Sequence, residues 1–119
     1  MTQTFTVPGP LPGMNEFTGK GSRWVYTGLK QKWGGICTQS ILAAKLRPMP
    51  WAIVRCAWFE PSAKRDPDNI AVGLKFVLDA LTHAKVLPND GFVNVLEIHH
   101  RFAVDRHDPR VEVTLEGQP

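Results

Sequence analysis

Hydrophobic residues along this chain follow two periods, one typical of helices and one typical of strands. Between residues 68 and 82 they recur at i, i+4, i+7, i+8 and i+11, which places them on one face of a helix. These positions are Ile70, Leu74, Val77, Leu78 and Leu81. A second helical spacing, from Leu29 to Ala44, predicts a helix over about residues 27–46, which Pro48 ends.

The remaining patterned stretches predict strands. Residues 4–7 alternate between polar and apolar and predict a short first strand. Residues 51–59 are almost continuously apolar and flanked by prolines, which predicts a central strand covered on both faces. Residues 96–104 and 111–115 alternate, which predicts two antiparallel strands joined through residues 105–109.

The predicted order is β-α-β-α-β-β, a single small α+β domain over residues 1–119 with a mixed or antiparallel sheet packed against two helices. A chain of 119 residues with 43% hydrophobic content can bury one core. It has no run of about 18 apolar residues, so we expect no membrane partner, and no signal peptide is visible at its start. Cys37 and Cys56 lack metal-ligand spacing, and we expect them to be reduced, buried thiols of a cytoplasmic protein.

Charge is distributed unevenly along the chain. Residues 1–65 carry nine Lys and Arg against two acids, a balance of +7, whereas residues 66–119 carry five against nine, a balance of −4. A basic front half can attract a polyphosphate without reading its sequence. The alternative is an ordinary solvated surface.

Two carboxylates stand two residues apart where the helix over residues 68–82 should begin, in Lys64-Arg65-Asp66-Pro67-Asp68-Asn69. A third, Asp90, follows that helix in a turn-forming segment. Carboxylate oxygens suit Mg²⁺, and Mg²⁺ with open coordination positions can activate water against a phosphodiester. The plainer alternative is a helix cap, in which one aspartate accepts backbone N–H bonds and Pro67 occupies the first turn. A cap needs one aspartate, so the second one and Asp90 favour a metal-dependent nuclease.

Lys75 follows Asp68 by seven residues. On a continuous helix the two side chains would project within about 20° of each other, roughly 10 Å apart along the axis. In that position the ammonium can hold a scissile phosphate or stabilise charge on the leaving oxygen. The alternative is a solvated ion pair with Asp79, four residues further on.

Several segments in one order carry a family resemblance. They are residues 64–69, Lys75-Phe76-Val77-Leu78-Asp79-Ala80-Leu81, Val86-Leu87-Pro88-Asn89-Asp90 and, more weakly, Leu11-Pro12-Gly13-Met14-Asn15-Glu16. Together they resemble the RusA family of Holliday junction resolvases. In two respects the chain departs from that family: Asp68 and Lys75 are further apart by most of a helical turn, and Asn89 stands where other members often have Asp.

The resemblance implies a homodimeric endonuclease that binds branched DNA at four-way junctions and cuts it with Mg²⁺, or with Mn²⁺ as a substitute. By position match it makes Asp66, Asp68 and Asp90 the metal-binding and catalytic acids, and Lys75 the catalytic lysine. Two subunits suit a junction with two-fold symmetry, because resolution needs paired nicks on opposing strands. Recombination and repair are the expected setting.

Six basic side chains of the front half are candidate phosphate contacts, with generic surface charge as the alternative. They are Lys20, Arg23, Lys30, Lys32, Lys64 and Arg65. Trp24 and Tyr26 lie among these cations, where they can stack on splayed bases or, alternatively, pack in the core or against a second subunit. A second hypothesis makes the chain a non-catalytic DNA-binding or regulatory protein on the same scaffold, with salt-sensitive binding and no Mg²⁺-dependent cutting.

Overall fold

A computed structural model describes residues 1–17 and 22–118, with the side chain of Ser22 excepted. Its elements largely follow the order predicted from the sequence, with one helix divided in two. They are β1 (Thr2–Pro8), a 3-10 turn (Met14–Glu16), α1 (Ser22–Ala43), β2 (Trp51–Glu60), α2 (Pro67–Ala71), α3 (Leu74–His83), β3 (Val95–Val104) and β4 (Arg110–Gln118). Among the described residues, no helix is both long enough and apolar enough to cross a membrane.

The four strands form one mixed sheet in the order β1-β4-β2-β3. Strand β4 is antiparallel to both of its neighbours, and β3 is parallel to β2. The predicted α+β class with a mixed sheet is therefore confirmed. The last two strands run antiparallel and are joined through residues 105–109, as predicted, but they are not neighbours in the sheet, because β2 lies between them. Alternation specifies a half-buried strand but not its neighbour, and the connection crosses the end of β2, where Asp105 N–H donates to Glu60 C=O at 2.8 Å.

Strand β2 is central, as predicted, but only one of its faces is fully covered. Ala52, Val54, Cys56 and Trp58 are buried beneath the helices, whereas the alternate residues are partly or fully exposed. Its apolar residues on the open face are shielded only by side chains of neighbouring strands, as where the Arg110 guanidinium lies 4.0 Å from the Phe59 ring centroid. The prediction of cover on both faces was wrong for that reason.

The core lies between the covered sheet face and the helices α1 and α3. Cys37 on α1 and Cys56 on β2 are both free and buried, as predicted, and burial raises the pKa of each thiol to about 12. Helix α1 begins and ends earlier than predicted, because Lys45 adopts a left-handed conformation with φ of 53° that stops the helix before Pro48.

The helix predicted over residues 68–82 is in fact α2 and α3, with a tightened turn between them. Gly73 N–H donates to Ile70 C=O and Lys75 N–H donates to Val72 C=O, each three residues back at 3.1 Å. A Cβ on Gly73 would lie 3.1–3.2 Å from Leu11 and the Trp58 indole, so glycine permits the close approach of both side chains. The positions of Asp68 and Lys75 are therefore not related as on one continuous helix.

Candidate metal and nucleic-acid site

The first two predicted acids lie at the start of α2. Asp66 occupies the N-cap position with an extended backbone and Pro67 is the first helical residue, but the Asp66 side chain makes no capping hydrogen bond. The Asp68 carboxylate accepts the N–H of Asn69 at 2.9 Å, and both aspartates are exposed. The cap alternative therefore accounts for the backbone at Asp66 but leaves its carboxylate unexplained.

A buried ion pair holds the segment that carries these acids. Glu60, at the end of β2, is 4% exposed and accepts two bonds from Arg65, at 2.7 and 2.8 Å. Arg65 also donates to the Leu11 carbonyl at 3.0 Å and lies 3.9 Å from Glu16. We call these four residues the Arg65 clamp. The structure thus turns a predicted DNA contact inward, where its guanidinium joins three segments of the chain.

Asn69 reinforces this arrangement from the first turn of α2. Its side-chain oxygen accepts the N–H of Asn15 at 3.2 Å, which ties the 3-10 turn to α2. A Cβ on Gly13 would lie 2.6 Å from the Asn69 side chain and 2.7 Å from the Arg65 guanidinium, so glycine is required for this close packing. The loop before α1 and the acidic segment therefore form one packed unit.

Sequence reasoning missed the role of Glu60. The signal was present, because Glu60 continues the parity of Val54, Cys56 and Trp58, which face the core. A carboxylate at a core-facing strand position needs a cationic partner, and Arg65 is five residues away.

The third acid lies in a different place, a groove between α1 and α3. Lys75, Asp79 and His83 line it from α3, Lys30 lines it from α1, and Asp90 lines it from the loop that follows α3. We call it the α1–α3 groove. It brings together three predicted site residues, Lys30, Lys75 and Asp90. Among the ion pairs of the described residues, none joins Lys75 to Asp79, so the pairing alternative for this lysine finds no support.

The other predicted DNA contacts that the structure describes lie outside the α1–α3 groove. Lys32 and Lys64 line a second groove, beside Trp33 and the Arg65 clamp, and the Lys32 ammonium lies 5.6 Å from the Trp33 ring centroid. Arg23 is exposed near the start of α1. Lys20 lies outside the described residues.

The two aromatic candidates on α1 differ from each other. Tyr26 packs against Phe17 and Phe76, with ring centroids 5.5 and 6.5 Å apart, which favours its packing alternative. Trp24 is 79% exposed, so its indole face is accessible. Of these two aromatic side chains, only Trp24 is therefore available to stack on a base.

The three acids do not form one compact group in this chain. Within residues 1–17 and 22–118, no three His, Cys, Asp or Glu side chains lie close enough together to hold a metal ion. Asp66 and Asp68 stand at the start of α2, and Asp90 stands with Lys75 in the α1–α3 groove. The oxygen-only donor set nevertheless has the chemistry that Mg²⁺ prefers.

No protein-family model matches this chain, and no curated protein matches it either. The function proposed for this chain therefore depends on its motifs and on the positions of their side chains.

Proposed function

We propose that this chain is a Mg²⁺-dependent endodeoxyribonuclease that resolves four-way DNA junctions as a homodimer. The observation that carries the proposal is the free carboxylate of Asp66, which stands at a helix start yet makes no capping bond. With Asp68 exposed beside it, the start of α2 presents two carboxylates to solvent. Asp68 also stabilises the start of α2, because it lies in the first turn and accepts the Asn69 N–H. The Asp66 carboxylate makes no capping bond, and a hard cation is a suitable partner for it.

In this proposal Asp66, Asp68 and Asp90 would hold the cation, and the homodimer would bring Asp90 to the other two, because it lies apart from them within one chain. Bound Mg²⁺ would lower the pKa of a water molecule and neutralise charge on the phosphate under attack. The Arg65 clamp fixes the backbone that carries Asp66 and Asp68 before any substrate arrives, which reduces the reorganisation needed on binding.

Lys75 and Lys30 are proposed to hold the DNA strand. Both line the groove that Asp90 also lines, so they share one surface with a carboxylate that is proposed to bind the cation. Lys75 would offset negative charge as the phosphodiester bond to the leaving oxygen breaks, and Lys30 would bind a neighbouring phosphate. Lys32 and Lys64 in the second groove, with Arg23, extend the cationic surface along the strand.

The partner and setting follow from the same proposal. A four-way junction has two-fold symmetry, so a homodimer would present two equivalent sites to opposing strands. Recombination and repair would be the setting, and a cytoplasmic location would keep Cys37 and Cys56 reduced.

A junction cleavage assay tests the proposal. The purified protein should nick a synthetic four-way junction in Mg²⁺, leave a linear duplex of the same sequence intact, and stop cutting when the cation is chelated. Asp68→Asn should abolish nicking while junction binding in a gel-shift assay is retained, because one cation ligand is lost and the phosphate contacts remain. Asp108→Asn, in the exposed turn before β4, is the matched control and should cut like the wild type.

The same assay decides between this proposal and a non-catalytic DNA-binding protein. The exposed Trp24 and the cations of α1 favour DNA binding with or without cleavage. Salt-sensitive junction binding with no Mg²⁺-dependent nicking by the wild type would support the second function and rule out the first.

A further inference from the structure

The two outer strands of the sheet differ in how their hydrophobic residues are covered. Strand β1 buries Phe5 and Val7 in the core. Strand β3 leaves a row of apolar side chains exposed: Leu96 is 50% exposed, Ile98 45%, Phe102 37% and Val104 56%. An outer strand with exposed hydrophobic side chains is a template for pairing with another strand.

The backbone of β3 also has an unpaired edge. The N–H of Asp105 donates to Glu60 on β2 at 2.8 Å, and successive backbone amides of a strand point to opposite edges. From Glu97 to Asp105, the odd-numbered residues therefore face β2. The N–H and C=O groups of the even-numbered residues point away from the sheet and are available to a further strand.

The sequence of β3 is complementary to itself in the antiparallel direction. We infer that β3 pairs with β3 of a second copy of this chain, with a two-fold axis through His99. In that register Glu97 lies opposite Arg101 of the second copy, so two opposite-charge pairs form across the axis. Ile98 lies opposite His100, and this pair exchanges the free backbone hydrogen bonds. Leu96, at the register shift just before Glu97, approaches Phe102 of the second copy.

His100 suits a position in this apolar row. The Trp58 indole N–H donates to His100 Nδ1 at 2.8 Å, and the His100 ring stacks on Phe102 with centroids 6.1 Å apart. Partial burial, and next the electrostatic effect of His99, lowers the pKa of His100 and so favours its neutral form, the form that accepts the Trp58 N–H. The row therefore meets the second copy without a buried charge.

The antiparallel pairing also places the start of β3 in one copy beside the end of β3 in the other copy. One end is preceded by the exposed residues Phe92 and Val93, and the other end lines a groove with Pro67, which stands between Asp66 and Asp68. The segment after Asp90 in one copy thus approaches the acidic segment of the other. Only this consequence rests on the proposed function: Asp90 would join Asp66 and Asp68 across the interface.

Analytical ultracentrifugation with charge reversals tests the interface. The wild type should sediment as a dimer at micromolar concentration, while Glu97→Arg or Arg101→Glu alone should weaken association at least tenfold. The double variant Glu97→Arg/Arg101→Glu should restore the dimer, and so should mixing the two single variants. A monomeric wild type, or a double variant as weak as the singles, would overturn the inference. Circular dichroism checks that each variant is folded.

A cross-link tests the register. His99→Cys should form a disulfide-linked dimer on mild oxidation. Residue 99 of one copy would face residue 99 of the other as a non-hydrogen-bonded pair, in which the Cα atoms are about 4.5 Å apart. Arg106→Cys, in the exposed turn beyond β3, should not. Cys37 and Cys56 are buried with pKa values of about 12 and should not interfere. A dimer that persists while His99→Cys fails to cross-link would place the interface elsewhere.

Mixing inactive variants tests the shared site. Asp68→Asn and Asp90→Asn should each be inactive, and their mixture should regain nicking, because each mixed dimer contains one complete set of acids. A dimer that cuts as wild type but shows no recovery on mixing would assign all three acids to one chain. A wild type that dimerises without cutting would end the proposed function and leave the β3 interface standing.

Discussion

The start of α2 and the α1–α3 groove both carry predicted acids, but they are built differently. At α2 the backbone of Asp66 and Asp68 is fixed from inside by the buried Glu60–Arg65 pair and by Asn69. In the groove, Lys75 and Asp90 are exposed side chains on an open surface. The difference shows that the two regions meet different demands: buried contacts fix the backbone of the first, whereas the side chains of the second are exposed to solvent.

This contrast separates stability from activity. Changes to the Arg65 clamp should lower the free energy of unfolding, because they leave a buried charge without its partner. Changes to the groove should lower the cleavage rate and leave the free energy of unfolding nearly unchanged, because surface substitutions rarely cost more than about 0.5 kcal/mol.

In the groove, a large effect on the cleavage rate is expected at Lys75. Lys75→Ala should lower the single-turnover rate of junction cleavage by about a hundredfold, the cost typical of removing one group that stabilises developing charge. Its urea midpoint should equal that of the wild type. Arg106→Ala removes a cation from an exposed turn and serves as the charge-matched control. If Lys75→Ala cleaved the junction as fast as the wild type, Lys75 would have no catalytic role and only the acids would remain in the proposed site.

The next effect is expected in the clamp, at Glu60. Glu60→Gln keeps the shape of the side chain but leaves Arg65 with no buried anion, and should lower the free energy of unfolding by about 1–3 kcal/mol. Urea denaturation followed by tryptophan fluorescence measures this loss. Glu116→Gln is the matched control, since it breaks an exposed pair with Arg55 at 3.3 Å and should cost less than about 1 kcal/mol. Equal losses from the two variants would contradict the role given to the clamp.

At the start of α2, only a small effect on stability is expected from a change at Asp66. An aspartate that caps a helix loses about 0.5–2 kcal/mol on substitution by alanine. Because the Asp66 carboxylate makes no capping bond, Asp66→Ala should cost less than about 0.5 kcal/mol while abolishing cleavage. A loss of about 1 kcal/mol or more in urea denaturation would restore the cap alternative and weaken the proposed function.

The sequence was most informative where a pattern depends on local chemistry. Helical spacing located both predicted helices, and strand patterns located the four strands, because these periods reflect which side chains face the core. The acids at the start of α2 were also identified correctly as a helix start. Their association with a buried Glu60–Arg65 pair was not foreseen, although the parity of β2 indicated that Glu60 faces inward.

Other features depend on contacts between distant segments, which periodicity does not encode. The separation of β3 from β4 depends on which strand pairs with the edge of β2. The break between α2 and α3 depends on Leu11 and Trp58, which approach Gly73 from elsewhere in the chain. For the same reason, the sequence could suggest three related acids but could not determine their positions in space.

The central claim is that Asp66, Asp68 and Asp90 hold one divalent cation site, within one chain or across two. Anomalous diffraction from crystals grown with Mn²⁺ in place of Mg²⁺ tests it most directly. We predict a peak within about 2.0–2.6 Å of carboxylate oxygens from Asp66 or Asp68 and from Asp90. A saturating concentration of Mn²⁺ that gives no peak at these carboxylates, or a peak only at other residues, would contradict the account.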